Sequence, residues 1–160
     1  MSIITKDISC LIDNVLKKFP DDRKKSAIIE SLLILQHHNS GYLTKEIIHD
    51  LANYLSVSEI DIYEVATFYT MFNTKPVGRN TIAVCNNVSC MLRGSDKILS
   101  HIEKKLNIKV GQSSADNKFY LKDEVECLAA CNGAPMMQIN HKNYENISIE
   151  QVDKIIESLK

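Results

Sequence analysis

AVCNNVSC, residues 83–90, and ECLAACNGAP, residues 126–135, decide how the second half of this chain is read. Each comes just after a strand-like apolar stretch, and each carries two cysteines: Cys85 and Cys90 with four residues between them, Cys127 and Cys131 with three. The alternation in TIAVC predicts a strand that ends at Cys85, with Cys90 in the loop beyond. KFYLKDEVEC predicts a second strand that ends at Cys127, with Cys131 in its loop. Both pairs then stand at strand C-terminal ends, where the loops of an α/β sheet converge and sites form. Four thiols gathered in one crevice will bind a soft metal centre.

Upstream of the cysteines, NTKPVGRN marks a change of texture, with Pro76 and Gly78 as punctuation. Everything before it reads as helix. KDISCLIDNVLKKFP puts Ile8, Leu11, Ile12, Val15 and Phe19 on one face and is closed by Pro20. DDRKKSAIIESLLILQHH repeats the pattern through Ile28, Ile29, Leu32, Leu33 and Leu35, with two aspartates near its start. TKEIIHDLANYL places Ile47, Ile48, Leu51 and Leu55 in register. SEIDIYEVATFYTMF opens with Ser58 and Asp61 at capping-box spacing and runs Ile62, Val65, Phe68, Tyr69 and Phe72 down one side. Its aromatic run is read as core. Four short amphipathic helices make a small bundle over residues 1–75.

Downstream, GSDKILSHIEKKLNI predicts a helix capped by Ser95, with Ile98, Ile102 and Leu106 inward. PMMQIN reads as a strand, with a short hairpin strand near NYENI. SIEQVDKIIESLK opens with a Ser148/Gln151 capping box and closes the chain as a helix on Val152, Ile155, Ile156 and Leu159. The order over residues 76–160 is strand, helix, strand, strand, helix, a small sheet with helices packed on it. The fold class expected is α+β: a helical bundle followed by an α/β layer.

The cysteine spacing sorts the candidate chemistries. Five cysteines is an odd number, and MSIITKDISCLIDNVLKKF lacks a secretory h-region, which disfavours a disulfide framework. A catalytic dithiol wants C-x-x-C at a helix N-terminus, and neither pair has it. Zinc knuckles use about two to four intervening residues, so zinc is permitted. A two-iron, two-sulfide cluster spreads its thiolates over two irons and suits the looser gaps better. The plant-type ferredoxin spacing fails at Arg93, and no C-x-H supports a Rieske centre. Arg93 is placed to oppose a cluster's negative charge, or else is a solvated loop residue. Cys10 lies away from the apolar face of its helix and reads as a surface thiol. His37 and His38 close a helix, where they suit its terminal carbonyls. Met136 and Met137 read as core packing beside the cysteines.

Composition removes other classes. At 160 residues and 44% hydrophobic, the chain buries a real core. A formal net charge of −1 exerts no global pull toward nucleic acid or anionic lipid. No run approaches eighteen apolar residues, so no membrane insertion is expected. The five glycines, at 41, 78, 94, 111 and 133, offer no G-x-G-x-x-G loop, which leaves nucleotide and flavin sites to another chain.

EVATFYTMF, KPVGRNTIAVCNNVSC, GSDKIL, KKLNIKVGQ and VECLAACNGAPMMQIN, in this order, resemble the family of 24-kilodalton subunits of NADH:quinone oxidoreductase, respiratory complex I, from about residue 20 to the C-terminus. The resemblance implies a helical N-terminal part for docking and a thioredoxin-like domain holding one [2Fe–2S] cluster, with Cys85, Cys90, Cys127 and Cys131 as its ligands. It implies FMN and NADH on a partner flavoprotein subunit, with the other peripheral-arm subunits as further partners. It places the chain as a peripheral subunit at the cytoplasmic face of a bacterial inner membrane, or the matrix side in an organelle. The equivalent module of a soluble NAD-linked hydrogenase or formate dehydrogenase is the alternative. One departure is visible: a Gly usual between the last two cysteines is Ala129 here, which puts the loop's fine geometry in question.

Overall fold

Thr5 starts the first helix: its side chain accepts the N–H of Ile8, and helix α1 (Lys6–Leu16) continues from there with Ile8, Ile12 and Val15 buried. Leu11, expected on that face, is 42% exposed because it falls at the edge of the stripe the other three define. The computed structural model describes residues 3–123, 125 and 127–159, and the chain divides between Pro76 and Val77 into two compact units.

In the first unit, the segment read as helix from Asp21 begins instead with a 3₁₀ turn (Lys24–Ala27) that leads into α2 (Ile28–His38). Thr44 caps α3 (Lys45–Leu55), whose Ile47, Ile48, Leu51 and Leu55 are all buried, as their spacing predicts. Helix α4 (Glu59–Phe68) has Ser58 accepting from the N–H of Ile60 rather than of Asp61, so the expected box does not close. At Tyr69 the backbone turns extended and the helix stops. Phe68 is therefore 77% exposed and Tyr69 37%, while Phe72, beyond the helix, is buried. The aromatic run is not a core stripe.

The core of this unit is Ile12, Leu32, Leu35, Ile47, Leu51 and Ile62 with their neighbours. Burying each such side chain contributes about 1.5–3 kcal/mol. One buried polar group ties two segments together: Gln36 donates from Nε2 to the Met71 carbonyl at 3.1 Å, and its Oε1 accepts the N–H of Asn73 at 2.8 Å. Both ends are satisfied, so burial costs little, and the chain leaving α4 is held to α2.

The second unit runs β1 (Asn80–Val84), α5 (Val88–Leu92), α6 (Ser95–Leu106), β2 (Gln112–Ser113), β3 (Phe119–Leu121), a 3₁₀ turn (Cys131–Gly133), β4 (Met137–Ile139), β5 (Lys142–Tyr144) and α7 (Ile149–Ser158). The sheet order is β2-β3-β1-β4-β5. Central β1 is parallel to β3, with Ile82 opposite Leu121, and antiparallel to β4, with Ile82 opposite Ile139. Strand β2 and helix α5 are too short for periodicity to predict. The strand expected over 118–127 ends at Leu121; its positions 124 and 126 lie outside the described residues. The hairpin strand is β5, paired to β4. Gly78 admits the chain to the sheet, since a Cβ there would lie 2.3 Å from the Phe119 carbonyl oxygen.

Ile98 and Ile102 of α6 and Val152 and Ile156 of α7 pack with Ile82, Val84, Phe119, Leu121, Met137 and Ile139 into one core. Ser95 does not cap α6: Gly94 holds the cap position at φ +88°, and Ser95 is buried inside the first turn. The capping box of α7 does form, Ser148 accepting from the N–H of Gln151 and Gln151 accepting from the N–H of Ser148. Polar contacts clasp the two helices: Asp153 meets His101 Nε2 at 2.7 Å and Lys105 Nζ at 2.8 Å, and Lys105 also reaches Glu157 at 2.9 Å. Among the described residues no helix is long and apolar enough to cross a membrane.

Candidate metal centre

Strand β1 delivers Cys85 directly. It comes next after Val84 at the strand's C-terminal end, and its N–H donates to the carbonyl of Met136 at 3.2 Å. Asn87 then caps a single helical turn, accepting the N–H of Val88 at 2.8 Å, and Cys90 sits on that turn rather than in a loop. Cys85 and Cys90 are 2% and 1% exposed. Cys127 does not end a strand, because β3 has stopped at Leu121, and it lies in irregular chain. Cys131 opens the 3₁₀ turn. Both members of this second pair are exposed.

The two pairs meet. The sulfurs of Cys127 and Cys131 are 3.8 Å apart. The Cys85 sulfur is in hydrogen-bonding contact with the thiols of both Cys90 and Cys127. Ser89 sets its hydroxyl against Cys131. Behind the thiols, Cys85 and Cys90 pack with Ala134 and Met136, flanked by Leu128 and Ala130. The two methionines thus divide: Met136 lines the cysteines and Met137 belongs to the sheet core. Ala129, between the second pair, stands at φ +57° and donates its N–H to Cys127 Sγ at 3.4 Å.

Charge explains what the set can hold. Burial pushes the Cys85 thiol up, but the backbone N–H groups of Leu128 and Asn87 and the neighbouring thiols outweigh it, and the net shift is down. Burial pushes Cys90 up, with Cys85 adding to it, against the N–H of Met136. The Cys127 sulfur holds Cys131 up as well. The surroundings thus ease one thiol toward thiolate and hold two back from it, and four thiolates this close would need a cation among them. The donor set fits an iron–sulfur core on these grounds: four soft ligands, with backbone N–H groups aimed at the sulfurs of Cys85, Cys90 and Cys127. Among the described residues no three His, Cys, Asp or Glu side chains close around a point that would hold a single metal ion.

Other singled-out residues fall elsewhere. Cys10 is exposed on α1. His37 and His38 end α2, where His38 Nδ1 lies 2.8 Å from the Ile34 carbonyl. Arg93 is exposed, and its guanidinium donates to the Ala134 carbonyl at 3.1 Å. Sequence reading passed over Asn87 and Ser89. Asn87 carried a signal, a cap residue directly before V-S-C; Ser89 carried none, since its partner is distant in sequence.

Residues 12–160 match the thioredoxin-like [2Fe–2S] ferredoxin family. The E subunit of the NADH-quinone oxidoreductase of Rickettsia bellii is 45% identical over 150 residues, 94% of this chain and 89% of that protein. Its counterpart in Rickettsia conorii is 46% identical over 149 residues, 93% and 89% of the two chains. The second E subunit of the NADH-quinone oxidoreductase of Rhizobium meliloti is 39% identical over 149 residues, 93% and 86%. The fold recurs in an NAD+-reducing [NiFe]-hydrogenase at a TM-score of 0.67 and 22% identity, over 80% of this chain and 22% of that one. A family match over most of the sequence and relatives matched over nearly their full length agree with the four converging thiols: the chain belongs to the thioredoxin-like [2Fe–2S] ferredoxin family.

Proposed function

We propose that Cys85, Cys90, Cys127 and Cys131 hold one [2Fe–2S] cluster, and that the chain is the electron-transfer subunit of an NADH:quinone oxidoreductase, exchanging single electrons with FMN on a partner flavoprotein. The carrying observation is the meeting of the four thiols, ringed by backbone N–H groups. The relatives are named as E subunits of NADH-quinone oxidoreductases, which supports the parent complex. When bound, such a cluster supplies a one-electron donor and acceptor. The rest is done by the chain. The N–H groups of Leu128, Asn87, Met136 and Ala129 stabilise negative charge on sulfur, and Ala134, Met136 and Leu128 keep water from the buried pair.

NADH yields two electrons at once, so a flavin must stand between it and a one-electron site. With no nucleotide-binding loop here, flavin and nicotinamide belong to the partner, itself one of several subunits of a peripheral arm on the cytoplasmic side of the membrane. Residues 1–75 serve as docking surface: Ile60, Tyr63 and Phe68 of α4 are apolar and exposed. The fold is shared with an NAD+-reducing hydrogenase; a soluble hydrogenase or formate dehydrogenase is the second parent to test, and the subunits that co-purify decide between them.

Iron, sulfide and zinc analysis with electron paramagnetic resonance of the reduced protein tests the cluster. Wild type should carry two irons and two sulfides per chain, and Cys127→Ala should lose them. One zinc per chain, or full iron in Cys127→Ala, would overturn the assignment. The chain alone should show no NADH:ferricyanide activity; turnover without a flavoprotein would end its reading as a one-electron subunit.

A further inference from the structure

Three hydrogen bonds run in series between the two cysteine segments, and the middle one is made by a side chain. The Arg93 N–H donates to the Cys90 carbonyl at 3.2 Å, Arg93 Nη1 donates to the Ala134 carbonyl at 3.1 Å, and the Ala134 N–H donates to the Cys131 carbonyl at 3.3 Å. One guanidinium thus bridges 41 residues of sequence, and the carbonyl it holds is part of the wall around Cys85 and Cys90.

The local structure explains why such a bridge is needed. Helix α5 is only five residues long, one turn and a little more, and a helix that short cannot hold its own conformation in water. Beyond it Gly94, at φ +88°, leads straight into α6, its N–H donating to the Met91 carbonyl at 3.0 Å. At its other end the turn is held by Asn87. The Cys131 turn is also short, three residues. Two short turns, each bearing a thiol, keep a fixed separation only if something spans them: Ser89 reaches Cys131 itself, and Arg93, by the longer span, reaches Ala134 behind it. The planar fork of Arg93 restricts the direction of the bond as well as its length.

We propose that Arg93 is a positioning residue, which through its bond to the Ala134 carbonyl fixes the Cys90 turn against the Cys131 turn and so holds the four sulfurs in register for the cluster. The inference rests on the ligand assignment above.

The test uses the full-length, cluster-loaded chain as wild type, Arg93→Met, which keeps the apolar stem and removes the donors, and Arg93→Lys, which restores a donor without the fork. Two readouts are taken: the paramagnetic resonance line shape of the reduced cluster, and the rate at which an excess of iron chelator bleaches it. Far-UV circular dichroism and melting of each apo-protein check the fold, which an exposed side chain at the surface should leave intact. Arg93→Met should broaden the lines and speed bleaching several-fold, up to about tenfold for one lost hydrogen bond, and Arg93→Lys should recover part of both. Wild-type line shape and bleaching in Arg93→Met would overturn the inference while leaving the ligands assigned. So would equal losses in both variants that track a lower apo-protein melting temperature. A wild type without two irons and two sulfides would overturn both readings together.

Discussion

Ala129 holds a backbone conformation that suits glycine. Between Cys127 and Cys131 it stands at φ +57°, in the left-handed region, where a Cβ crowds the following carbonyl at a cost of about 1–2 kcal/mol. The conformation is kept because it aims the Ala129 N–H at Cys127 Sγ. The departure visible in the sequence therefore has a physical meaning: the loop keeps its shape and bears the strain. Ala129→Gly should stabilise the folded chain by about 0.5–1 kcal/mol, the relieved strain less the added freedom of the unfolded state. Urea denaturation of the apo-protein checks it; a destabilised variant would show that the alanine methyl is packed to advantage. The two cysteine pairs stood out in the sequence because each spacing is local; the expected strand context holds at Cys85 but not at Cys127, since β3 stops at Leu121. Ser89 and Arg93 did not stand out, because each acts on a residue some forty positions away, and nothing short of the fold brings them together.

Among the elements, α6 and α7 are joined by a clasp that titrates. Hydrogen bonds from His101 first and Lys105 second hold the Asp153 carboxyl below the usual carboxylate range. A folded-state pKa below the unfolded one means the unfolded chain binds more protons in between. The clasp is therefore fully present above about pH 4, the ordinary Asp range, and is lost as pH falls through the depressed value. In thermal melts across pH, Asp153→Asn should be less stable than wild type near neutrality, and the two curves should converge in acid. A gap that persists unchanged at the lowest pH would remove the carboxylate from the account. Element boundaries show where periodicity informs and where it misleads. The box at Ser148 and Gln151 was readable, since all its parts lie within four residues. Phe68 and Tyr69 were not: the apolar spacing continues past Phe68, but the helix does not. Helix α5 escaped because five residues hold too little pattern, and the strand ending at Leu121 was overdrawn because alternation continues beyond its pairing partner Ile82.

At the scale of the molecule, each of the two units has a core of its own. The four cysteines proposed as ligands all lie in 77–160, and the first unit contributes Cys10 alone among thiols. A chain beginning at Val77 should accordingly keep the spectrum of the cluster, while its assembly with the flavoprotein weakens. Size-exclusion co-elution or interferometry against the partner measures this. Undiminished affinity in the shortened chain would take the docking role away from residues 1–75.

The unequal burial of the four thiols sets an order of events before any electron moves. Cys85 and Cys90 are closed in, whereas Cys127 and Cys131 face outward. A cluster donor or an alkylating agent approaching the empty site would therefore meet Cys127 and Cys131 first, and the cluster proposed above would be captured at that rim before the inner pair closed on it.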